Sequence, residues 1–349
     1  VVLQPRLRDA LRRINPDLPE DAIDQAVRVV SRPPEPTLEQ NNRWFHRLLT
    51  DGIDVEYRAA AGETRGDKAW LADFAVPGRN DLLVVNQLKV KCGNATRRPD
   101  VLVYLNGLPI ADVELKDPTD EQADVWKAFR QVQDYKREIP TLYAYNELIA
   151  ISDGDTTRVG SLTAGSDRFA PWRSLEDYRR PGQPQLEALI KGLFEPARLL
   201  DYLRHCITFE EDERSGAIVK KIAGYHQFRA VRAARTSVKA ALKPPAGSGD
   251  GRGGVIWHTQ GSGKSLTMLM LSGAMIGGAN LANPTIVVVT DRNDLDDQLF
   301  GTFAAGRALL RQAPEQAASR ADLAARLNRA SGGVIFTTIQ KFEEQGGPV

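Results

Sequence analysis

The chain has 349 residues, of which 42% are hydrophobic and 26% charged, with a formal net charge of +1. Length allows two ordinary domains, and the composition is that of a folded globular protein rather than a disordered or fibrous one. No apolar run approaches a membrane span, no signal peptide opens the chain, and near-neutral charge confines any nucleic-acid surface to a local patch.

Residues 5–31 read as two short helices, the second opening at Pro19-Glu20-Asp21 with acids at its positive end. Arg32-Pro-Pro-Glu-Pro36 is a stiff linker. Thr37-Leu-Glu-Gln40 has the form of a capping box opening a helix through Leu49, with Gly52 as its stop. Strand-like runs follow at Asp54–Ala59, Lys68–Val76 and Asp81–Val90. Asp100–Leu105 and Pro109–Lys116 flank Asn106-Gly107, a strong hairpin signal. A helix over Glu121–Glu138 and a strand over Leu148–Ser152 complete a series that predicts a mixed sheet with flanking helices.

Within that series, residues two apart on a strand share a face, so Asp112, Glu114 and Lys116 fall together. Two acids and a lysine on one face suit a divalent ion beside a phosphodiester, with the lysine placed for water or developing charge. A two-residue turn at Asn106-Gly107 would pair Asp100 with Val113, on the other face. A three-residue loop with a bulge at Gly107 would bring Asp100 into phase. The nuclease reading therefore predicts the bulged turn. Gln131 and Tyr135, four apart, share a face of the next helix.

The stretch from Thr156 to Gln185 is poor in pattern and leads to a domain boundary, placed after residue 180. Helices are expected at Leu186–Phe194, Pro196–Cys206 and, at length, Ile218–Leu242. The acidic run Glu210–Glu213 reads as a solvated loop. On the long helix, Arg232, Arg235 and Lys239 share one basic face. Val255–Trp257 reads as a short buried strand, His258–Gly263 as a Gly-rich loop, and Lys264 onward as a helix. This is the phosphate cradle of P-loop NTPases, in which loop N–H groups and the helix dipole face phosphates. Lys264 supplies a charge and Ser265 a hydroxyl for Mg²⁺, although His258 stands where the strict pattern has Gly. Strands at Thr285–Thr290 and Gly333–Thr338, with intervening helices, predict a doubly wound parallel sheet. Cys92 and Cys206 fit no metal or disulfide spacing, so a reducing cytoplasm is expected.

Together these motifs resemble the restriction (motor) subunit of type I restriction–modification enzymes. The resemblance rests on Asn80–Leu88, Arg98–Pro109, Glu114-Leu-Lys116, Gln131-x-x-x-Tyr135, Tyr225–Phe228, Trp257–Ser265, Val289–Arg292 and Thr337–Phe342. It implies a PD-(D/E)xK-like endonuclease domain over 1–180 and part of a RecA-like motor domain over 181–349. By the resemblance Asp100 and Glu114 would hold Mg²⁺, Lys116 would be the catalytic lysine, and Gln131 and Tyr135 would support the site. Gln227 would read adenine, and Thr259, Gln260, Gly261, Ser262, Gly263, Lys264 and Ser265 would hold ATP and its Mg²⁺. Glu39 sits where such nucleases often carry another acid. The implied partners are double-stranded DNA, a methyltransferase (modification) subunit and a specificity subunit. No Asp-Glu pair closes an apolar strand after the P-loop, so an N-terminal fragment with an incomplete motor is expected. A repair nuclease–helicase and a non-catalytic NTP-binding assembly module are the alternatives.

Overall fold

The structure is a computed structural model that describes residues 1–58, 62–119, 124–173, 184–212, 215–243, 247–278 and 281–342. Two compact units emerge: Val1–Arg204 with Asp212–Ile222, and His205–Glu211 with Ala223–Val349. The expected boundary after residue 180, like Glu121–Ala123 and Glu213, lies outside the described residues.

The first unit opens with α1 (Gln4–Ile14), α2 (Glu20–Val30) and α3 (Leu38–Asp51). The Thr37/Gln40 capping box starts α3, and Gly52, at φ +76°, stops it. An antiparallel pair follows, β1 (Ile53–Arg58) and β2 (Thr64–Ala69). The expected strand over Lys68–Val76 ends at Ala69, because side chains satisfy the backbone beyond it. Asn15 Oδ1 accepts from the Trp70 N–H, and Asp73 Oδ1 from those of Ala75 and Val76. The run Asp81–Val90 breaks at Gln87, which is left-handed at φ +53°. It becomes β3 (Leu82–Asn86) and β4 (Val90–Cys92), the latter forming a small hairpin with β5 (Ala95–Arg97).

Next come β6 (Val101–Leu105), β7 (Leu108–Leu115), α4 (Val125–Glu138), α5 (Pro140–Tyr143), β8 (Leu148–Ser152), β9 (Thr157–Gly160) and β10 (Ala170–Pro171). Six strands form one sheet in the order β10-β9-β8-β7-β6-β3. Only β7 and β8 run parallel, so the sheet is mixed. The parallel step needs a crossover, which α4 provides. Helix α4 buries Val125, Ala128, Val132 and Tyr135 in a core with Leu102, Tyr104, Ile149 and Ile151.

Helices α6 (Gln185–Gly192) and α7 (Pro196–His205) follow as expected, then β11 (Ile207–Glu211), so Glu210 and Glu211 end a strand rather than form a loop. The expected helix from Ile218 is corrected: Ile218–Ile222 is strand β12, and helix α8 spans Tyr225–Ala241. Ile218 and Lys220 are buried while Val219 is exposed, the two-residue period of a strand. Lys220 is fully buried, and its ammonium donates to Asn42 Oδ1, the Asn146 carbonyl and Glu147 Oε2 at 2.9, 2.9 and 2.6 Å.

The second unit continues from α8 with α9 (Lys264–Ile276), β13 (Ile286–Thr290), α10 (Asn293–Ala305), α11 (Arg307–Leu310), β14 (Glu315–Gln316), α12 (Arg320–Leu327) and β15 (Val334–Thr338). Its sheet has the order β13-β15-β14, both pairs parallel. Leu269, Val288, Leu299, Phe303, Val334 and Phe336 form its core. The expected buried strand at Val255–Trp257 is not formed: Val255 and Trp257 are 90% and 91% exposed. A strand exists only against a partner, and none of the described strands pairs with this segment. Among the described residues no helix is long and apolar enough to cross a membrane.

Candidate active sites

The first site is assembled on β6, β7 and α4. Asn106 and Gly107, at φ +52° and +79°, make a tight two-residue turn pairing Leu105 with Leu108. The bulged turn expected from the sequence is therefore corrected. The extra residue sits further along, where Tyr104 faces Pro109 and Val103 faces Ala111, leaving Ile110 without an opposite number. A bulge anywhere between the turn and Asp100 shifts phase by one residue. Beyond it Val101 faces Val113, which brings Asp100 beside Glu114.

Asp100 is held at both carboxylate oxygens: Oδ1 accepts from Gln87 Nε2 at 2.8 Å and Oδ2 from the Leu115 N–H at 2.9 Å. The Asp100 N–H approaches Glu114 Oε2 at 3.5 Å. Lys116 Nζ donates to Glu114 Oε1 at 3.0 Å and to Gln131 Oε1 at 2.7 Å. The Gln131 amide in turn donates to the Tyr135 hydroxyl. Five residues singled out in the sequence thus form one linked group. An open cleft beside them is lined by Asn86, Gln87, Asp100, Lys116 and Asp117.

The acidic face of β7 is not solvated. Leu102 and Ile149 flank Asp112, and Ile151 flanks Glu114. Both acids are fully buried. Burial pushes the Asp112 carboxyl up to about 7, with Asp100 adding to the rise and the Tyr143 hydroxyl (2.5 Å) opposing it. Burial also lifts Glu114 to about 8; Asp112 adds to this, and Lys116 opposes it. Lys136, bonded to the Leu162 carbonyl, is lowered to about 8 by burial, while Asp112 and Glu39 pull it back. Glu39 thus acts on this group electrostatically. Gln87 and Tyr143, which hydrogen-bond Asp100 and Asp112, are contacts that periodicity does not find. Only the adjacent amides of Asn86-Gln87 at a strand end offered a signal for the first.

Two carboxylates, each oxygen keeping a free lone pair, suit a hard cation that retains most of its waters. No cluster of three or more acidic, His or Cys ligands exists among the described residues.

The second site is the loop before α9. Gly261 and Gly263 are left-handed at φ +78° and +77°, and Lys264 opens the helix. Thr259, Gln260, Gly261, Gly263 and Lys264 are exposed; Ser262 and Ser265 are half-buried. Lys264 Nζ donates to the carbonyls of His258 and Thr259 at 3.2 and 3.0 Å. The ammonium thus fills the loop with its own charge, where a phosphate would compete for it. Gln227 is buried; its Oε1 accepts from the Gly224 N–H and its Nε2 donates to the Gly263 carbonyl. Reading adenine with this amide requires release of those contacts. His226 Nε2 lies 2.9 Å from the Ser262 carbonyl, and its ring packs edge-on against His258, 5.3 Å between centroids.

Comparison with known proteins gives matching assignments to both parts. Residues 1–168 match the family of the type I restriction enzyme R protein N terminus, and residues 226–348 match the SWI2/SNF2 ATPase. The chain is 43% identical, over 98% of its length, to the type I restriction enzyme HindI endonuclease subunit of Haemophilus influenzae. It is 32% identical, again over 98%, to MjaIXP of Methanocaldococcus jannaschii, provisionally described as a type I restriction enzyme endonuclease subunit. A Staphylococcus aureus type I restriction enzyme endonuclease subunit matches at 28% over 76% of the chain. The chain spans 32%, 34% and 26% of those three relatives.

Proposed function

Because this chain belongs to the type I restriction enzyme R protein family, we propose that it carries the nuclease site and the ATP-binding loop of a DNA-cleaving, ATP-driven translocase. Its fold would be a PD-(D/E)xK-like nuclease domain followed by part of a RecA-like motor domain. The observation that carries the reading is the linked group Asp100, Glu114, Lys116, Gln131 and Tyr135 beside an open cleft.

Asp100 and Glu114 would hold Mg²⁺, which when bound polarises a phosphodiester and acidifies its water. Gln87 and the Leu115 N–H fix the Asp100 carboxylate, so its orientation costs nothing at the moment of binding. Lys116 is aimed by Gln131, and Gln131 by Tyr135; the ammonium faces the cleft, where it would orient water or meet charge developing on phosphate oxygens. In the second unit, Gly261–Ser265 would take the ATP phosphates and Ser265 their Mg²⁺, with Gln227 reading the base. Double-stranded DNA is the substrate, methyltransferase and specificity subunits are the partners, and the cytoplasm is the compartment.

The test is cleavage of plasmid DNA by the full-length protein with its partner subunits. Lys116→Ala and Glu114→Ala are each expected to lower cleavage at least a hundredfold, about 2.7 kcal/mol or more in the barrier. DNA-stimulated ATP hydrolysis should remain. Cleavage that survives both substitutions in folded protein would remove the assignment.

A further inference from the structure

Between Gln87 and Asp100 the chain makes the β4–β5 hairpin, and its base is closed at the nuclease site. The Gln87 N–H donates to the Asp100 carbonyl at 2.9 Å, and the Gln87 amide holds the Asp100 side chain. Residues 82–99 contain Lys89, Lys91, Arg97 and Arg98 and no acid. Pairing sorts these cations. Val90 faces Arg97, Lys91 faces Thr96 and Cys92 faces Ala95. Val90 is buried and Cys92 packs against the α4 core, so this face is inward. Arg97 lies on it and pairs with Glu138 at the end of α4, pinning the hairpin to the helix that carries Gln131 and Tyr135. Alternation turns Lys89, Lys91, Thr96 and Arg98 outward, and all three of those cations are exposed.

The register continued by one step sets Lys89 across from Arg98. Like charges directly opposite on a two-stranded ribbon destabilise it. Neither these two nor Lys91 has an ion-pair partner among the described residues. Their mutual repulsion is a small cost, which no ion-pair partner among the described residues offsets. A polyanion laid on this face would reverse the sign of that cost.

We propose that the outward face of this hairpin is a phosphate-backbone contact surface for duplex DNA, holding the strand that enters the cleft at Asp100 and Lys116. This rests on the nuclease reading above. Lys91 is four residues from Gln87, at most roughly 13 Å of extended chain, or about four base-pair steps at 3.4 Å each. The hairpin therefore reaches along the backbone next to the bond to be cut. It would bind without regard to sequence, since phosphates position and base edges specify.

The experiment uses the full-length protein in its complex and a duplex lacking a recognition site. The triple variant Lys89→Ser/Lys91→Ser/Arg98→Ser is compared with Lys91→Glu alone, in case the triple variant folds poorly. Three lost phosphate contacts should make the log–log salt dependence of binding shallower by about 2–3. Cleavage of plasmid DNA should fall at least tenfold, with DNA-stimulated ATP hydrolysis within twofold. Lys91→Glu should weaken binding most at low salt. An unchanged salt slope in a variant that melts normally overturns the hairpin surface, whatever happens to cleavage. Lys116→Ala separates the two claims, because it should abolish cleavage and make the salt slope shallower by no more than about 1, the loss of one phosphate contact. If Lys116→Ala still cuts, the nuclease reading fails, while the slope of the hairpin variants still decides DNA contact.

Discussion

Asp112 and Glu114 stand in the middle of an apolar face, and this sets how the first site should respond to pH. Their carboxyls are raised to about 7 and 8 by burial, against roughly 4 in an unfolded chain. Between those values the folded protein binds more protons than the unfolded one. Stability from this pair is therefore full below about pH 4 and is lost as pH rises through 7 to 8. Thermal melting without divalent ions should fall as pH rises from about 4 to 8 and level off above that, and on the proposed reading Mg²⁺ should restore it increasingly with pH, because a cation at Glu114 would favour the ionised form. A melting temperature flat across that range would contradict the buried acids. Period-two reading put Asp112, Glu114 and Lys116 on one face and Gln131 with Tyr135 on another, and the structure links members of both. That the face is covered was not legible, because the cover, α4 and Tyr143, comes from residues 15 to 31 positions away whose packing no local spacing encodes.

At the scale of elements, the Asn106-Gly107 turn governs where Asp100 falls. A Cβ on Gly107 would stand 2.7 Å from the Leu3 carbonyl oxygen and 2.8 Å from the Leu7 nitrogen, both backbone atoms of the first helix region. The residue is also left-handed at φ +79°. Gly107→Ala should cost at least ~2 kcal/mol, read as a lowered denaturant midpoint, because neither the turn nor α1 can give way. The hairpin was legible from Asn-Gly alone. The bulge was expected in the turn and lies instead at Ile110, since a tight turn satisfies its own geometry and leaves the phase shift to the strand. Val255–Trp257 was read as a strand from its side chains, but a strand is a property of two segments and the sequence signal describes one. The Gly261–Lys264 loop needed no partner, and its left-handed glycines and helix start stand where the motif put them.

At the scale of the whole molecule, the chain leaves its first unit at Arg204, returns for Asp212–Ile222, and leaves again. The returning strand carries Lys220, whose ammonium meets Asn42, Asn146 and Glu147 with no exposed surface. Burial lowers Lys220, but Glu147 resists that; Glu147 itself stays below the usual carboxylate range despite burial, held by Lys220 and His46. Removing one member of such a pair costs about 3–5 kcal/mol, because the other remains buried and uncompensated. A truncation ending at Arg204 should therefore be less stable than one ending at Ile222 by about that amount, as urea melts would measure. A segment read from composition as helix, and placed with the second domain, thus supplies a charge to the first. The same ion pair sets an order of events during synthesis. Glu147 emerges 73 residues before Lys220, about 4–15 s at 5–20 residues per second. For that interval Glu147 in the nascent first unit has only a bound proton or His46 to offset its burial, so the full set of contacts around it is completed only after β12 has been made.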